Sequence, residues 1–562
     1  MSPRAPNPQI TRALRPATWI PVVVVLAAIV PFADVLRAGF LSDDFFAVAL
    51  YRETDVSPFR FTVDAILSNA RVPTTFYRPL AFATVWAETR AWGAVAWPLH
   101  LTNLLLHAGV SLLSLLFVQR LARRSLDTLA CRSAAAVPAF FALVLFAAFP
   151  RRVEAVAWIA CRPDLLAAFF AIAAALLYVH ALDAERGWLA APAALVWFAS
   201  LLSKESAILL PLALWPIAPK AGRTRWEALT PFAVVLVLYL ALRHGALGAW
   251  VGGYGVDALR PSAGALVRAV RQTAYLMLPP IEVADRSPWL AAATGAAALA
   301  MLAWLAFRTG RVWRTPLVLV GAAWIVSAIV PVAALPVSLA ATFNDRLLYF
   351  PGIGMACLLT AAFATVPARR LVIAGSTAAI LCCGWTAVYA HRWHVAGALS
   401  QDLVRQLATQ VSAGHQGSRD PLYLAAVPDS YGGAYMLRTA IPEALQMAGV
   451  KQVPRVVVLT RYFLENPEAA PVEARRTEPE RLRLSGCRGR PEIFIDGEPS
   501  LPILQRSPAL SADRYGRVSI VEFSLPAGTV PLIATPRGWL DVVPQRRTSS
   551  CDTRDATSST SP

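Results

Sequence analysis

LAAPAALVWFASLLSKESAILLPLALWPI, residues 189–217, is the stretch that decides the fold class. Two apolar runs, 187–202 and 206–218, are parted by only Ser203-Lys204-Glu205. Sixteen helical residues at 1.5 Å each reach about 24 Å, short of a hydrocarbon core of about 30 Å. The turn between them is therefore expected to lie sunk below a membrane surface, inside a protein cavity. Lys204 is one of three lysines, with Lys220 and Lys451, in a chain that otherwise writes arginine. A compact ammonium in such a cavity suits a phosphate or diphosphate, the structural alternative being a pair with Glu205.

Outward from this hairpin, runs of membrane-spanning character recur through the first 390 residues, in a chain of 562 that is 56% hydrophobic and 15% charged. They lie near 17–36, 97–118, 134–150, 163–182, 187–202, 206–218, 226–243, 289–307, 316–335, 347–367 and 371–390. The stretch 265–280 reads either as a twelfth span or as a helix at the interface. The basic clusters Arg12/Arg15, Arg120/Arg123/Arg124, Lys220/Arg223/Arg225, Arg308/Arg311/Arg314 and Arg369/Arg370 flank span ends. Eleven crossings put all of them on the cytoplasmic side, as the positive-inside rule asks, whereas a twelfth reverses the last two. The chain thus reads as an α-helical polytopic protein of the bacterial inner membrane, its first span retained as an anchor, with everything after about 391 outside. Abundant Arg, Ala and Pro point to a GC-rich bacterial genome. The net charge of +17 does not point to nucleic acid, because the basic residues are spread between apolar runs.

After about 395 the composition becomes charged and Pro-rich. Alternating segments at 421–426, 455–460, 492–496 and 518–524 predict a small α/β or mainly β exported domain over 396–544. The Ser-, Thr- and Asp-rich stretch 545–562 is expected to be disordered. The seven cysteines form no metal-ligand spacing, and Cys487 with Cys551 is the one pair to consider in an exported domain.

Polar residues collect at the outer ends of the spans. Asp43 and Asp44 follow the first span and suit a general base for an acceptor hydroxyl, or a divalent cation, the alternative being a solvated helix stop. No cofactor is otherwise implied. In Phe149-Pro150-Arg151-Arg152-Val153-Glu154 and Arg162-Pro163-Asp164, outer arginines run against the charge bias and suit an anionic ligand; pairing of Arg151 or Arg152 with Glu154, and of Arg162 with Asp164, is the plainer account. His100, Asn103 and His107 share one helix face, His100 nearest the mouth, where helix–helix hydrogen bonds are the ordinary role. Tyr77-Arg78-Pro79 and Asn344-Asp345-Arg346 with Tyr349 add an arginine and a phenol each. The segment 80–92 reads as an amphipathic helix lying on the membrane.

SDD at 42–44, YRPL at 77–80, HLTNLLLH at 100–107, VEAVAWIACRPDLLA at 153–167, LLSKESAILLPL at 201–212 and NDRLLYFPGIG at 344–354 occur in this order. Together they resemble the GT-C glycosyltransferases, above all the transmembrane-and-tetratricopeptide-repeat O-mannosyltransferases and their bacterial relatives, over about residues 17–395. The resemblance implies a GT-C fold, a polyprenyl-phosphate-linked sugar as donor, and inverting transfer. It also implies catalysis by an acidic residue of the first outer loop, here Asp43 or Asp44, with basic residues holding the lipid phosphate. Where the family has histidines in the second outer loop, this chain has Phe149 and Arg152. The repeat-bearing tail is replaced by 391–562, so the acceptor, protein or glycan, does not carry over. The substrate-side residues so expected are Arg78, His100, Glu154, Arg162, Asp164, Lys204, Glu205, Arg346 and Tyr349.

Two rivals stand beside the enzyme: a transporter or flippase, and a GT-C scaffold that only binds lipid or glycan. A transporter is expected to carry inverted repeats and polar groups at mid-membrane, and neither is found in the sequence.

Overall fold

The computed structural model describes residues 19–52, 58–68, 75–125, 136–219, 223–250, 253, 262–281, 288–310, 312–339, 341–414, 420–465, 471–487, 493–495, 501–507, 517–527, 529–535, 538–541 and 547–549. The chain divides into two compact units. The first takes residues up to Asp34, Asp55–Glu88 and Pro98–Ala390; the second takes Val35–Thr54, Thr89–Trp97 and His391–Pro562.

Apolar helices stand at all eleven expected spans, and they are of three kinds. Six are long and apolar enough to cross a membrane: Trp19–Arg37, Ala96–Ser125, Ile159–Asp183, Trp226–Leu247, Ala292–Thr309 and Ala368–Ala413. One span, Ala136–Ala147 with Pro150–Ala157, is bent by 55°. Four are shorter: Gly187–Ser203, Glu205–Ile217, Pro316–Val332 and Pro351–Phe363. The chain is a multi-pass membrane protein. The stretch left open by sequence forms a 13-residue helix, Ala263–Tyr275. At about 20 Å it is too short to cross, and Leu266, Val267 and Val270 face outward, as an interfacial helix would present them.

Local chemistry explains the irregular spans. Pro150 has no N–H to continue the helix ending at Ala147, which produces the bend. The Thr386 hydroxyl donates to the freed Ala148 carbonyl at 2.7 Å, satisfying a backbone group that lipid could not. The two short helices Pro316–Ile329 and Pro351–Phe363 approach backbone to backbone at Gly321 and Gly354. A Cβ on Gly354 would come within 2.6 Å of the Gly321 carbonyl oxygen, so only a small residue permits this crossing. The expected surface helix exists as Pro79–Trp92, but Ala81, Val85 and Trp86 are buried and exposure gathers at its end, Arg90–Trp92. One face of it therefore packs against protein.

The second unit holds the strands β1 (Leu422–Tyr431), β2 (Ala434–Tyr435), β3 (Val456–Leu464), β4 (Val472–Glu478), β5 (Arg481–Gly486), β6 (Ile493–Phe494), β7 (Ile503–Arg506), β8 (Ile520–Ser524), β9 (Leu532–Thr535), β10 (Gly538–Asp541) and β11 (Arg547–Ser549). One sheet runs β10-β9-β1-β3-β6, with β2 on β1; the other runs β11-β4-β5-β8-β7. β1 is parallel to both β3 and β9, and its run Leu424–Val427 is fully buried, as a central parallel strand requires. The antiparallel sheet instead alternates, with Leu482, Leu484, Val521 and Phe523 inward. β11 falls within the stretch expected to be disordered from 545: Thr548 pairs with Ala474 of β4, and the backbone ladder orders what composition alone leaves loose. Residues 550–562, including Cys551, lie outside the described residues. Cys487 is disulfide-bonded.

Two features are not legible in the local sequence. A single helix, Ala368–Gly414, runs through the expected 395/396 boundary, and the Trp539 indole donates to its Leu403 carbonyl at 2.8 Å. The segment Val35–Thr54, carrying Asp43 and Asp44, belongs to the same unit as the β domain.

Candidate functional site

In the membrane unit, the polar segments quoted from the sequence find their partners in one another. Arg162 opens the helix Arg162–Asp183 behind Pro163 and is fully buried. Its guanidinium donates to Glu88 Oε2 at 2.7 Å, Asn103 Oδ1 at 3.0 Å and the Leu99 carbonyl at 2.8 Å. Two residues on, Asp164 accepts from Lys204 Nζ at 2.5 Å. Glu205 accepts from Arg78 at 2.7 and 3.3 Å, with Arg243 3.9 Å away. Glu154, fully buried, accepts both the Arg346 guanidinium and, at 2.9 Å, the Arg346 backbone N–H.

These partners correct the local pairings that adjacency suggested. Lys204 meets Asp164 rather than Glu205; Arg162 meets Glu88 rather than Asp164; Glu154 meets Arg346 rather than Arg151 or Arg152. Neighbours along a helix turn diverge in direction, whereas residues from different helices can face each other. Arg151 pairs with Asp345 at 2.5 Å, both fully buried, and also donates to the Leu278 and Ser338 carbonyls. Burial raises the Asp345 carboxyl above its ordinary range, against the pull of Arg151.

Arg152 differs from all of these. It is 2% exposed. Its guanidinium donates to the Leu348 carbonyl at 2.6 Å and the Phe146 carbonyl at 3.4 Å, and no carboxylate pairs with it among the described residues. The rings of Phe146, Phe149 and Tyr349 lie 4.8, 5.8 and 5.7 Å from its central carbon, favourable contacts for a buried cation. Gly352 makes room: a Cβ there would come within 2.1 Å of Nη2. Arg152 also lines an apolar cavity of about 440 Å³ whose walls include Phe146, Phe149, Met301, Trp304 and Leu359.

The His100, Asn103 and His107 face is buried, and two of its members make the helix-to-helix bonds expected of such a stripe. Asn103 donates to the Val156 and Trp158 carbonyls. The Ala147 carbonyl can only accept, so His107 Nε2–H donates to it at 2.9 Å, leaving Nδ1 to accept from the Tyr349 hydroxyl at 2.7 Å. Glu88 and Arg243 join this network without belonging to any quoted motif, and Asp345 of the NDR motif joins it as the partner of Arg151. The only cue to the first two was a charge within an apolar context.

Asp43 and Asp44 lie in the second unit, at the start of the helix Asp43–Arg52. Asp44 is buried and accepts the Leu41 N–H at 3.1 Å, whereas Asp43 is half-buried and accepts from the Thr439 hydroxyl at 2.5 Å. Among the described residues, no group of three or more His, Cys, Asp or Glu is arranged to hold a metal ion.

No family model and no curated protein matches the chain. Among solved structures it is similar to ArnT from Cupriavidus metallidurans bound to undecaprenyl phosphate, at 15% identity and a TM-score of 0.46, over 78% of this chain and 85% of that one. It is also similar to the Archaeoglobus fulgidus oligosaccharyltransferase in complex with Zn and sulfate, at 12% identity and a TM-score of 0.40. That match covers 78% of this chain and 61% of the other. Similarity at this level does not carry either neighbour's activity to this chain.

Proposed function

We propose that the chain is a GT-C-type membrane glycosyltransferase that moves a sugar from a polyprenyl-phosphate carrier to an acceptor hydroxyl. The observation that carries the proposal is Arg152: a buried guanidinium without a paired carboxylate among the described residues, set at an apolar cavity large enough for part of a lipid chain. That is the chemistry of a lipid phosphate, an anion joined directly to an apolar tail. Mutual pairing of YRPL with SKES, of HLTN with RPD, of RPD with SKES, and of VEA with NDR supports the sequence resemblance, which supplies sugar transfer.

In this reaction a first-loop carboxylate, Asp43 or Asp44, takes the proton of the acceptor hydroxyl. The acceptor oxygen bonds to the anomeric carbon as the carbon–oxygen bond to phosphate breaks, inverting that centre. The electron pair leaves with the polyprenyl phosphate, whose charge Arg152 neutralises, with Arg346 and Arg162 as the further basic residues proposed for it. Lys204, already matched by Asp164, takes a positioning role. The acceptor is a protein or glycan hydroxyl on the outer face of the inner membrane. A disulfide at Cys487 favours an oxidising, extracytoplasmic side for the second unit.

Purified protein given a radiolabelled polyprenyl-phosphate sugar is expected to release polyprenyl phosphate and to label a cell-envelope acceptor. Absence of both would reject the enzyme. Asp43→Asn and Asp44→Asn distinguish a scaffold that only binds: an enzyme loses turnover and keeps donor binding, whereas a scaffold is unchanged. Alkaline phosphatase fused after Gly414 is expected to be active in the periplasm, and silent when fused after residue 224; the reverse would move the second unit to the cytoplasm.

A further inference from the structure

The second unit brings a loop of the β domain against the first-loop carboxylates. The Ser42 N–H donates to the Met436 carbonyl at 2.8 Å. The hydroxyls of Ser42 and Thr439 are 2.8 Å apart, and the Thr439 hydroxyl donates to Asp43 Oδ1 at 2.5 Å. An ionised carboxylate only accepts, so the Thr439 proton points at Asp43 and Ser42 supplies the proton of the other bond. The result is a directed relay, Ser42 to Thr439 to Asp43, whose links polarise one another.

Both sides of this contact are held in unusual backbone. Ser42 has φ 48° and Ala440 has φ 60°, the left-handed region that side chains with a Cβ avoid. Such residues persist where the surroundings over-determine them, and they cluster at functional sites. Arg438, next to Thr439, is anchored by a two-point pair with the buried Asp429 of β1, at 2.8 and 2.6 Å. The loop that reaches Asp43 is thus tied to the central strand of the parallel sheet. Asp44 meanwhile turns back on its own backbone at Leu41 and is buried.

We infer that Thr439 is a positioning residue for Asp43, that Asp43 rather than Asp44 is the base, and that the exported β domain serves to aim it. This rests on the reading of the chain as a glycosyltransferase with a first-loop base. A small misplacement of a catalytic group can cost on the order of 100-fold in rate, so the role is measurable.

The test compares full-length Thr439→Val and Thr439→Ser, each alone and with Asp43→Asn, in the transfer assay. Thr439→Val keeps the side chain's shape and is expected to lower kcat roughly tenfold or more with KM for the lipid donor little changed. Thr439→Ser keeps the hydroxyl and is expected to stay within a few-fold of the parent. In the Asp43→Asn background, Thr439→Val is expected to add nothing, because it acts only through Asp43. An undiminished kcat in Thr439→Val, or an equal further loss in the Asp43→Asn background, overturns the inference while leaving the enzyme standing. If the parent shows no turnover with any donor, hydrogen exchange of the 41–45 amides decides the contact by itself. Faster exchange in Thr439→Val supports the tether, and unchanged exchange overturns it. Ser42→Ala, which breaks the relay one link earlier, replaces Thr439→Val if the latter fails to fold.

Discussion

Two adjacent arginines, Arg151 and Arg152, live in nearly identical burial and are satisfied in opposite ways. Arg151 is closed: Asp345 matches its charge and backbone carbonyls take its remaining donors. Arg152 is open: carbonyls and aromatic rings hold it, with the apolar cavity beside it. A buried charge that the fold pairs with an acid is architecture, whereas Arg152 has no paired carboxylate among the described residues, which is why the proposed function gives it the lipid phosphate. The same contrast separates Lys204, matched by Asp164, from the phosphate-binding lysine that its sunken position suggested.

The most severe break is expected at Arg151. Arg151→Ala leaves Asp345 buried without its cation, a loss of about 3–5 kcal/mol, read as a large fall in melting temperature or no recoverable protein. The double variant Arg151→Met/Asp345→Leu removes both charges and should regain much of that loss. Failure to regain it would mean that the carbonyl bonds, not the ion pair, dominate. Lys204→Ala comes next for the same reason. It strands Asp164, which is 8% exposed, and is expected to cost about 3 kcal/mol while donor affinity in the surviving protein stays near the parent's. A collapse of donor affinity without a stability change would return Lys204 to the phosphate.

Arg152→Gln is expected to invert that pattern. No acid is stranded, so melting should move less than for Arg151→Ala. Removing a charge-assisted bond worth about 1.5–3 kcal/mol should weaken polyprenyl-phosphate binding by roughly 10- to 100-fold. Ala300→Phe, which narrows the cavity and leaves Arg152 intact, should weaken long-chain lipid phosphates more than a short-chain analogue. Equal effects on both would detach the cavity from the chain. The smallest change is expected at Arg405, whose pair with Asp402 is largely exposed, 71% and 56%. Arg405→Ala should shift stability by less than about 0.5 kcal/mol, because solvent screens such pairs.

Apolar runs, charge asymmetry and turn residues were enough to locate the eleven helical elements, because lipid forces each backbone segment to satisfy itself locally. Strand positions near 421, 455 and 518 were legible for a similar reason, since side-chain alternation is a local signal. The polar segments that gather in the membrane unit were also visible, as charges placed where lipid makes them costly. Their partners were not. Glu154 with Arg346 and Arg151 with Asp345 join residues more than 190 positions apart, Lys204 with Asp164 residues 40 apart. Which charges meet depends on how whole helices pack, and adjacency in sequence named the wrong partner for Lys204, Arg162 and Glu154. Nor does any local pattern in residues 35–54 announce that this segment belongs with strands four hundred residues later; the contact exists only because Thr439 and Met436 are carried to it by the parallel sheet. Sequence by itself set the elements and the kinds of side chain at their ends. Tertiary packing chose which of those charges meet an opposite charge and which, as at Arg152, are held by carbonyls and aromatic rings among the described residues.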